Sequence, residues 1–146
     1  MFVHVDPNGH VPIYLQIIQQ VKNAAAAGLL APGDKLPSVR ELSKQIGINP
    51  NTLARAYQEL ERDGVIETIR GVGTFLCSGV MKISDQQRKE KIVKILRELF
   101  TEAYHLQYDK DELGNIIRQE LEAWNSARKG EGSRLSEDMP YGESKE

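Results

Sequence analysis

Two helix N-termini lie close together in the stretch SVRELSKQIGINPNT, residues 38–52. Ser38 and Glu41 form the pattern of a capping box. In this motif the serine hydroxyl accepts a hydrogen bond from an unpaired backbone amide, and the glutamate side chain accepts one from the backbone amide of the cap residue. Asn49 and Pro50 start the second helix, with asparagine as the cap and proline at the first helical position. The short break around a glycine has the spacing of a helix-turn-helix. On spacing alone, two packed helices without a shared function are an equal alternative.

The flanking segments predict a helix before this stretch and a β-hairpin after it. Within residues 12–27, apolar side chains recur at helical spacing, and Gly28 suits the position after the last turn. Residues 65–69 and 74–77 are typical of strands, and residues 70–73 of the tight turn between them. Three helices and a hairpin predict a winged helix-turn-helix, a mainly α fold of the α+β type whose wing is the hairpin tip.

Beyond residue 78 the pattern changes to two amphipathic helices. Ser84 and Gln87 form a second capping-box pattern. Apolar residues then alternate at four- and three-residue spacing over 92–106, and a further apolar series runs over 113–124.

The sequence therefore divides into three parts. We expect residues 1–78 to form the winged helix-turn-helix domain and residues 79–127 to form a two-helix dimerisation region. Residues 128–146 are expected to be a disordered tail, because Gly, Ser, Glu and Lys dominate there and apolar residues thin out.

The composition is that of a soluble globular chain. Of 146 residues, 40% are hydrophobic and 27% are charged, unlike a disordered or fibrous protein. No apolar run approaches the ~20 residues of a membrane helix, and the first residues lack the features of a signal peptide. A cytoplasmic protein with no membrane partner is expected.

Catalytic and metal-binding chemistry is not indicated by the sequence. It contains no recognisable nucleophile–base pair, carboxylate pair or metal-ligand cluster, so we expect neither an enzyme nor a cofactor. His4, His10 and His105 are dispersed, with no cysteine or carboxylate at ligand spacing. The single cysteine, Cys77, excludes a disulfide framework. It is expected to be a small, partly buried residue, with redox sensing as the alternative.

The total charge does not favour DNA binding. The case for DNA binding therefore depends on the direction in which individual side chains point. There are 19 Lys and Arg against 21 Asp and Glu, and residues 1–76 hold seven basic and seven acidic groups. One side of the motif's second helix is apolar and expected to be buried; it comprises Leu53, Ala56, Tyr57 and Leu60. The opposite side would enter the major groove; it comprises Asn51, Thr52, Ala54, Arg55 and Gln58.

This outward side has two alternative interpretations. It could be an ordinary solvated helix surface, or the binding face of a winged-helix protein–protein interaction module. A protein-binding face would carry apolar anchors. The outward residues instead suit bases and phosphates, so DNA binding is preferred; they are Asn51, Thr52, Arg55 and Arg70.

A series of short motifs extends across this region in a fixed order. They are LPSVREL (36–42), INPNT (48–52), Ala56-Tyr57, Leu60-Glu61, Asp63-Gly64 and RGVGTF (70–75). Their order and spacing resemble the GntR family of bacterial winged-helix transcription regulators, over roughly residues 10–77. The resemblance implies sequence-specific binding of double-stranded operator DNA by a homodimer, usually as a repressor. Carried over by position, the family's DNA contacts fall on Ser38, Arg40, Asn49, Asn51, Thr52, Arg55, Arg70, Gly71 and Gly73.

Two positions depart from the better-known acid-responsive members of the family. Pro50 and Ala54 stand where those members carry basic residues, so their operator consensus does not transfer. Arg40 lies beside a helix N-terminus, where its guanidinium and the free amides could hold one phosphate. A surface ion pair is the alternative. Arg70 is the favoured contact of the wing, whose small residues allow close approach of the backbone to DNA.

The C-terminal part is too short for the effector domains of larger members and resembles the YtrA-like subfamily, in which it mainly dimerises the protein. Genes of that subfamily often accompany ABC-transporter genes. Two short helices cannot cover both apolar stripes within one chain, so we expect them to meet their symmetry mates. The expected interface residues are Ile92, Leu96, Leu99, Phe100, Ala103, Leu106, Leu113, Ile117, Leu121 and Trp124.

The aromatic residues of this region have a second interpretation. Phe100, Tyr104, Tyr108 and Trp124 could line a pocket for a small-molecule effector of unknown identity. Aromatic residues at helical spacing more often form a core or a dimer interface.

Overall fold

The first part of the chain folds into three helices and a small antiparallel sheet. The structure, a computed structural model, describes residues 3–77 and 83–138, with side chains as far as residue 129. The chain forms two compact units, Met1–Met81 and Lys82–Glu146. The elements of the first unit are α1 (Ile13–Ala27), β1 (Lys35–Leu36), α2 (Val39–Ile46), α3 (Pro50–Arg62), β2 (Ile66–Ile69) and β3 (Gly73–Leu76). This arrangement confirms the predicted winged helix-turn-helix.

The predicted caps of the helix-turn-helix are present. The Glu41 amide donates to the Ser38 hydroxyl over 3.1 Å, and the Ser38 amide donates to the Glu41 carboxylate over 3.3 Å. The Asn51 amide donates to the side-chain oxygen of Asn49 over 2.8 Å. A buried contact then closes the turn, because the Ser43 hydroxyl donates to the carbonyl of Ile48. The turn between α2 and α3 is thus held by local hydrogen bonds.

The hydrophobic core of this unit draws on most of its elements. Its fully buried large side chains are Ile17, Val21, Leu36, Leu42, Leu53, Leu60 and Ile66. The apolar side predicted for α3 is confirmed, since Leu53, Ala56, Tyr57 and Leu60 are all buried. Val3 also enters the core, which the sequence pattern did not indicate. Gln16 and Gln20 of α1 hold that N-terminal segment through hydrogen bonds to its backbone.

The sheet contains one strand more than the predicted hairpin. Its order is β1-β3-β2. Thr74 of the central strand β3 lies opposite Leu36 of β1 on one side and opposite Thr68 of β2 on the other. Strand β1 has two residues, which is too short to show the alternation by which strands are recognised in a sequence. Because β1 ends just before the Ser38 cap, this pairing brings the start of α2 close to the hairpin.

The hydroxyl of Tyr57 connects the two helices of the motif. It donates to the carbonyl of Pro37, just before α2, over 2.7 Å. Burial raises the pKa of Tyr57 to about 12, with the nearby charge of Glu41 adding to the shift. Neutral Tyr57 therefore fixes the start of α2 against α3.

We expect Tyr57→Phe to lower the free energy of unfolding by about 0.5–1.5 kcal/mol at neutral pH, because one buried hydrogen bond is lost. The pKa of Tyr57 is raised in the folded state, so its contribution is complete below pH 10 and is lost as pH rises toward 12. The difference in stability between wild type and variant should therefore shrink across that window. Denaturant titrations at several pH values measure it. A difference that does not shrink between pH 10 and pH 12 would contradict this role of Tyr57.

The second unit consists of α4 (Asp85–His105) and α5 (Lys110–Asp138). The predicted second capping box is confirmed, since the Gln87 amide donates to the Ser84 hydroxyl and the Ser84 amide to the Gln87 side chain. Asp109 caps α5 by accepting the amide protons of Asp111 and Glu112.

Helix α5 extends further than the sequence predicted. Residues 128–138 were expected to start a disordered tail but are helical. Gly130 and Gly132 disfavour a helix, but Arg, Lys and Glu have good helix propensity, and extending an existing helix requires no new nucleus. Residues 139–146 of the predicted tail, and the predicted boundary at 78 and 79, lie outside the described residues.

Candidate nucleic-acid interface

The outward side of α3 carries the predicted recognition residues. Asn51, Arg55 and Gln58 are exposed, and Thr52 and Ala54 are half-buried. All five lie away from the core formed by the opposite side of the helix. In α3 the polar and basic side chains are therefore available to a ligand, while the apolar ones are already packed.

Some predicted contacts also have a structural role at the helix starts. The Ser38 hydroxyl and the Asn49 side-chain oxygen each accept an amide of their own helix. The amide NH2 of Asn49 can still donate to a phosphate or a base. Arg40, in the first turn of α2, is exposed. A phosphate here would meet a guanidinium and the positive end of the helix dipole together.

The hairpin tip has the shape expected of a wing. Arg70, Gly71 and Val72 are exposed, and the Val72 amide donates to the Ile69 carbonyl over 3.0 Å. Gly71 has φ +79° and Gly73 has φ +150°, a part of backbone space that side-chain-bearing residues rarely adopt. The tight turn thus requires glycine at both predicted positions.

Lys35 is a wing residue that the sequence analysis did not single out. A Cβ placed on Gly73 would lie 2.7 Å from the Cε of Lys35, so the lysine stem crosses the face of that glycine. Lys35 belongs to β1, whose pairing with β3 places it there. Only the strand pairing reveals this position, and a two-residue strand has no sequence signal.

The paired and the unpaired basic residues of the first unit lie in different places, although the net charge of the unit is zero. The ion pairs of its described residues are Lys22 with Asp63 at 3.4 Å and Arg62 with Glu59 at 3.7 Å, both at the C-terminal end of α3. The basic residues of α2, the N-terminal part of α3 and the wing take part in neither pair and are exposed; they are Lys35, Arg40, Lys44, Arg55 and Arg70. The basic groups that remain available therefore lie on the motif and the wing.

The described residues give little support for a metal site or for redox sensing. They contain no group of three or more His, Cys, Asp or Glu placed to hold a metal ion. Burial, together with Glu67 and Glu61, raises the pKa of the half-buried Cys77 thiol. A raised thiol pKa disfavours the reactive thiolate that redox sensing requires. Among the helices described, none is both long and apolar enough to cross a membrane.

The helical unit exposes an apolar surface. Several of the predicted interface residues are well exposed, such as Ile92 at 59%, Leu106 at 66% and Leu121 at 55%. Ala103 differs, because it is already buried within its own chain at 5% exposure. Most of this apolar area lacks a partner within the described residues.

A groove of about 500 Å³ lies between α4 and α5. Three of the four predicted pocket aromatics line it, namely Phe100, Tyr104 and Tyr108. Trp124 does not; its ring instead lies 4.7 Å from the guanidinium carbon of Arg128. Trp124 therefore lies further along α5 than the groove, apart from the other three aromatic residues considered for a pocket.

A helix-turn-helix with exposed polar and basic residues on its second helix, followed by a glycine-tipped hairpin, defines a winged helix-turn-helix DNA-binding protein. A family model described as "Bacterial regulatory proteins, gntR family" matches residues 13–76, which span α1 to the end of β3. The chain belongs to the GntR family. It is thus a DNA-binding regulator of transcription and not an enzyme.

Individual relatives extend the similarity into the helical unit. The chain is 41% identical over 117 residues to the HTH-type transcriptional repressor YtrA of Bacillus subtilis, covering 80% of this chain and 90% of that protein. A crystal structure from Listeria monocytogenes EGD-e, described as a transcriptional antiterminator, matches with a TM-score of 0.73 and 32% identity, covering 85% and 92% of the two chains. YtrA of Sulfolobus acidocaldarius matches with a TM-score of 0.52 and 31% identity, covering 84% and 99%. The predicted resemblance to YtrA-like members is confirmed.

Proposed function

We propose that the protein is a homodimeric repressor that binds an inverted-repeat DNA operator. The observation that carries the proposal is the uncovered apolar surface of α4 and α5, combined with a DNA-binding motif in the same chain. Two relatives support the repressor role and the subfamily, since one is named a transcriptional repressor and both are named YtrA. Because the ligand is chromosomal DNA, the protein would act in the cytoplasm.

The exposed apolar residues of α4 and α5 support the proposed dimer. Monomeric proteins rarely expose contiguous apolar patches larger than a few hundred Å². The large apolar residues exposed on α4 and α5 are Ile92, Ile95, Leu99, Phe100, Tyr104, Leu106, Ile116, Ile117, Leu121 and Trp124. A two-fold interface would cover these residues on both chains at once and bury more than ~1,000 Å².

Two-fold symmetry also determines how DNA would be bound. A dimer presents two recognition helices, so its operator should be an inverted repeat with half-sites about one helical turn, ~10 bp, apart or slightly more. Within each half-site, Arg55 would donate to O6 and N7 of a guanine, and Asn51 would contact an adenine. Arg40 and Arg70 would hold phosphates beside α2 and the wing.

The groove between α4 and α5 is one candidate site for a small-molecule effector. That groove is lined by Phe100, Leu113 and Ile117, which are also proposed interface residues. In the dimer, side chains of the partner would therefore enter the same space. An effector that occupied it would compete with dimerisation.

Sedimentation of the free protein tests the dimer directly. At micromolar concentrations we expect a single species with the mass of two chains. Duplexes selected by the protein from a randomised pool serve as DNA ligands, and the complex should then contain two chains per duplex. A monomer under both conditions would overturn the proposal. A protein dimer that selects no DNA would favour the protein–protein interaction module.

Salt dependence provides a further prediction. Each protomer offers Lys35, Arg40, Lys44, Arg55 and Arg70 outside the observed ion pairs. If four of the ten cations of a dimer contact phosphates, affinity for the selected operator should fall roughly 10²-fold between 50 and 200 mM salt, despite the net charge of −2. Fluorescence anisotropy titrations at several salt concentrations measure the slope. A flat dependence would contradict phosphate binding by these residues.

A further inference from the structure

The guanidinium of Arg55 is stacked on a tyrosine of a different helix. Its central carbon lies 3.8 Å from the ring centroid of Tyr14, in the first turn of α1. Tyr14 is half-buried at the edge of the core, and Arg55 is exposed. The two side chains meet because α1 packs against α3, and both helices contribute to the same core. The contact is a cation–π interaction.

Stacking leaves the hydrogen-bonding edge of the guanidinium free. The five N–H donors of arginine point outward in the guanidinium plane, and arginine stacks on an aromatic ring through a face of that plane. Bidentate recognition of guanine uses the edge alone. Arg55 can therefore remain on Tyr14 while it binds a base.

We propose that Tyr14 is a positioning residue for Arg55, which holds the guanidinium in an orientation that presents its donors to a guanine. The inference rests on the proposed base contact of Arg55. A free arginine side chain loses much rotamer freedom when it binds, and a side chain that is already stacked loses less. Tyr14 thus increases both the affinity and the base preference without touching DNA.

Core packing alone does not account for an aromatic ring at this position. The buried side of α1 is already formed by Ile17, Ile18, Val21 and Ala24. Leucine at position 14 could cover the same edge of the core but has no π face. Phenylalanine retains that face. These two substitutions therefore separate packing from stacking.

The test compares Tyr14→Leu, Tyr14→Phe, Arg55→Ala and the double variant Tyr14→Leu/Arg55→Ala in the full-length protein. We expect Tyr14→Leu to weaken binding of the selected operator about two- to fivefold for each protomer. It should also relax preference at the same base position as Arg55→Ala. Tyr14→Phe should restore both properties to near wild type, and the double variant should bind no more weakly than Arg55→Ala. Thermal unfolding of each variant verifies that the fold is retained.

The possible failures are distinguishable. If Arg55→Ala leaves affinity and base preference unchanged, the proposed DNA contact fails, and the role of Tyr14 fails with it. If Arg55→Ala has its expected effect but Tyr14→Leu leaves base preference intact, only the positioning role is overturned. The positioning role alone is also overturned if Tyr14→Leu weakens binding by the same factor in the wild-type protein and in the Arg55→Ala variant.

Discussion

The Leu99→Asp variant is expected to sediment as a monomer at micromolar concentrations at which the wild-type protein is a dimer. Leu99 lies on the apolar side of α4 and is 38% exposed in the single chain, so a partner would cover what remains. An aspartate buried there without a partner costs several kcal/mol, and symmetry places two of them in one interface. The dissociation constant of the dimer should therefore rise at least about 10³-fold.

Operator binding should fall together with dimerisation. Each monomer would read a single half-site, so the variant should bind DNA weakly and show no preference for a paired half-site. The matched control is Thr101→Asp, which adds the same charge at an exposed position two residues further along α4. Successive residues of a helix are 100° apart, so residue 101 faces away from residue 99. A dimer that survives Leu99→Asp, or one that Thr101→Asp also dissociates, would contradict the proposed interface.

Arg55→Ala is expected to produce the second large effect. A bidentate arginine–guanine contact contributes ~1–3 kcal/mol, and a dimer contains two of them. Affinity for the selected operator should therefore fall by roughly 30-fold to 10⁴-fold, with preference lost at one position of each half-site. The free energy of unfolding should change little, because Arg55 is exposed and lies outside the core, which it touches only through its contact with Tyr14 at the edge.

The control for this prediction lies on the same helix. Arg62→Ala removes the same charge two turns further along α3, where Arg62 is paired with Glu59. Base preference should remain that of the wild type in this variant. Competition with operators that are changed at single positions measures the base preference of the Arg55→Ala and Arg62→Ala variants. An unchanged preference in Arg55→Ala would show that this side of α3 does not read bases.

Local signals made most of the fold predictable from the sequence. The capping boxes at Ser38 and Ser84, and the Asn49–Pro50 helix start, involve residues close in sequence, and all three are present. The apolar side of α3 was predictable because helical periodicity separates buried from exposed positions. The hairpin was predictable from its glycine-containing turn.

The features that were missed depend on contacts between distant segments. Strand β1 exists only through its pairing with β3, so Lys35 could not be placed beside the wing. The contact between Tyr14 and Arg55 requires the packing of α1 on α3. Trp124 was grouped with Phe100 by residue type alone, but it lies beyond the groove between α4 and α5. The candidate recognition residues could be listed from the sequence, whereas the residues that support them could not.

Selection of double-stranded DNA from a randomised pool by the full-length protein tests the central claim most directly. We expect enrichment of an inverted repeat with half-sites about one helical turn, ~10 bp, apart or slightly more. Repeating the selection with Arg55→Ala should retain the spacing and lose preference at one symmetric pair of positions. Enrichment of a single unpaired half-site, or of no sequence at all, would contradict the account.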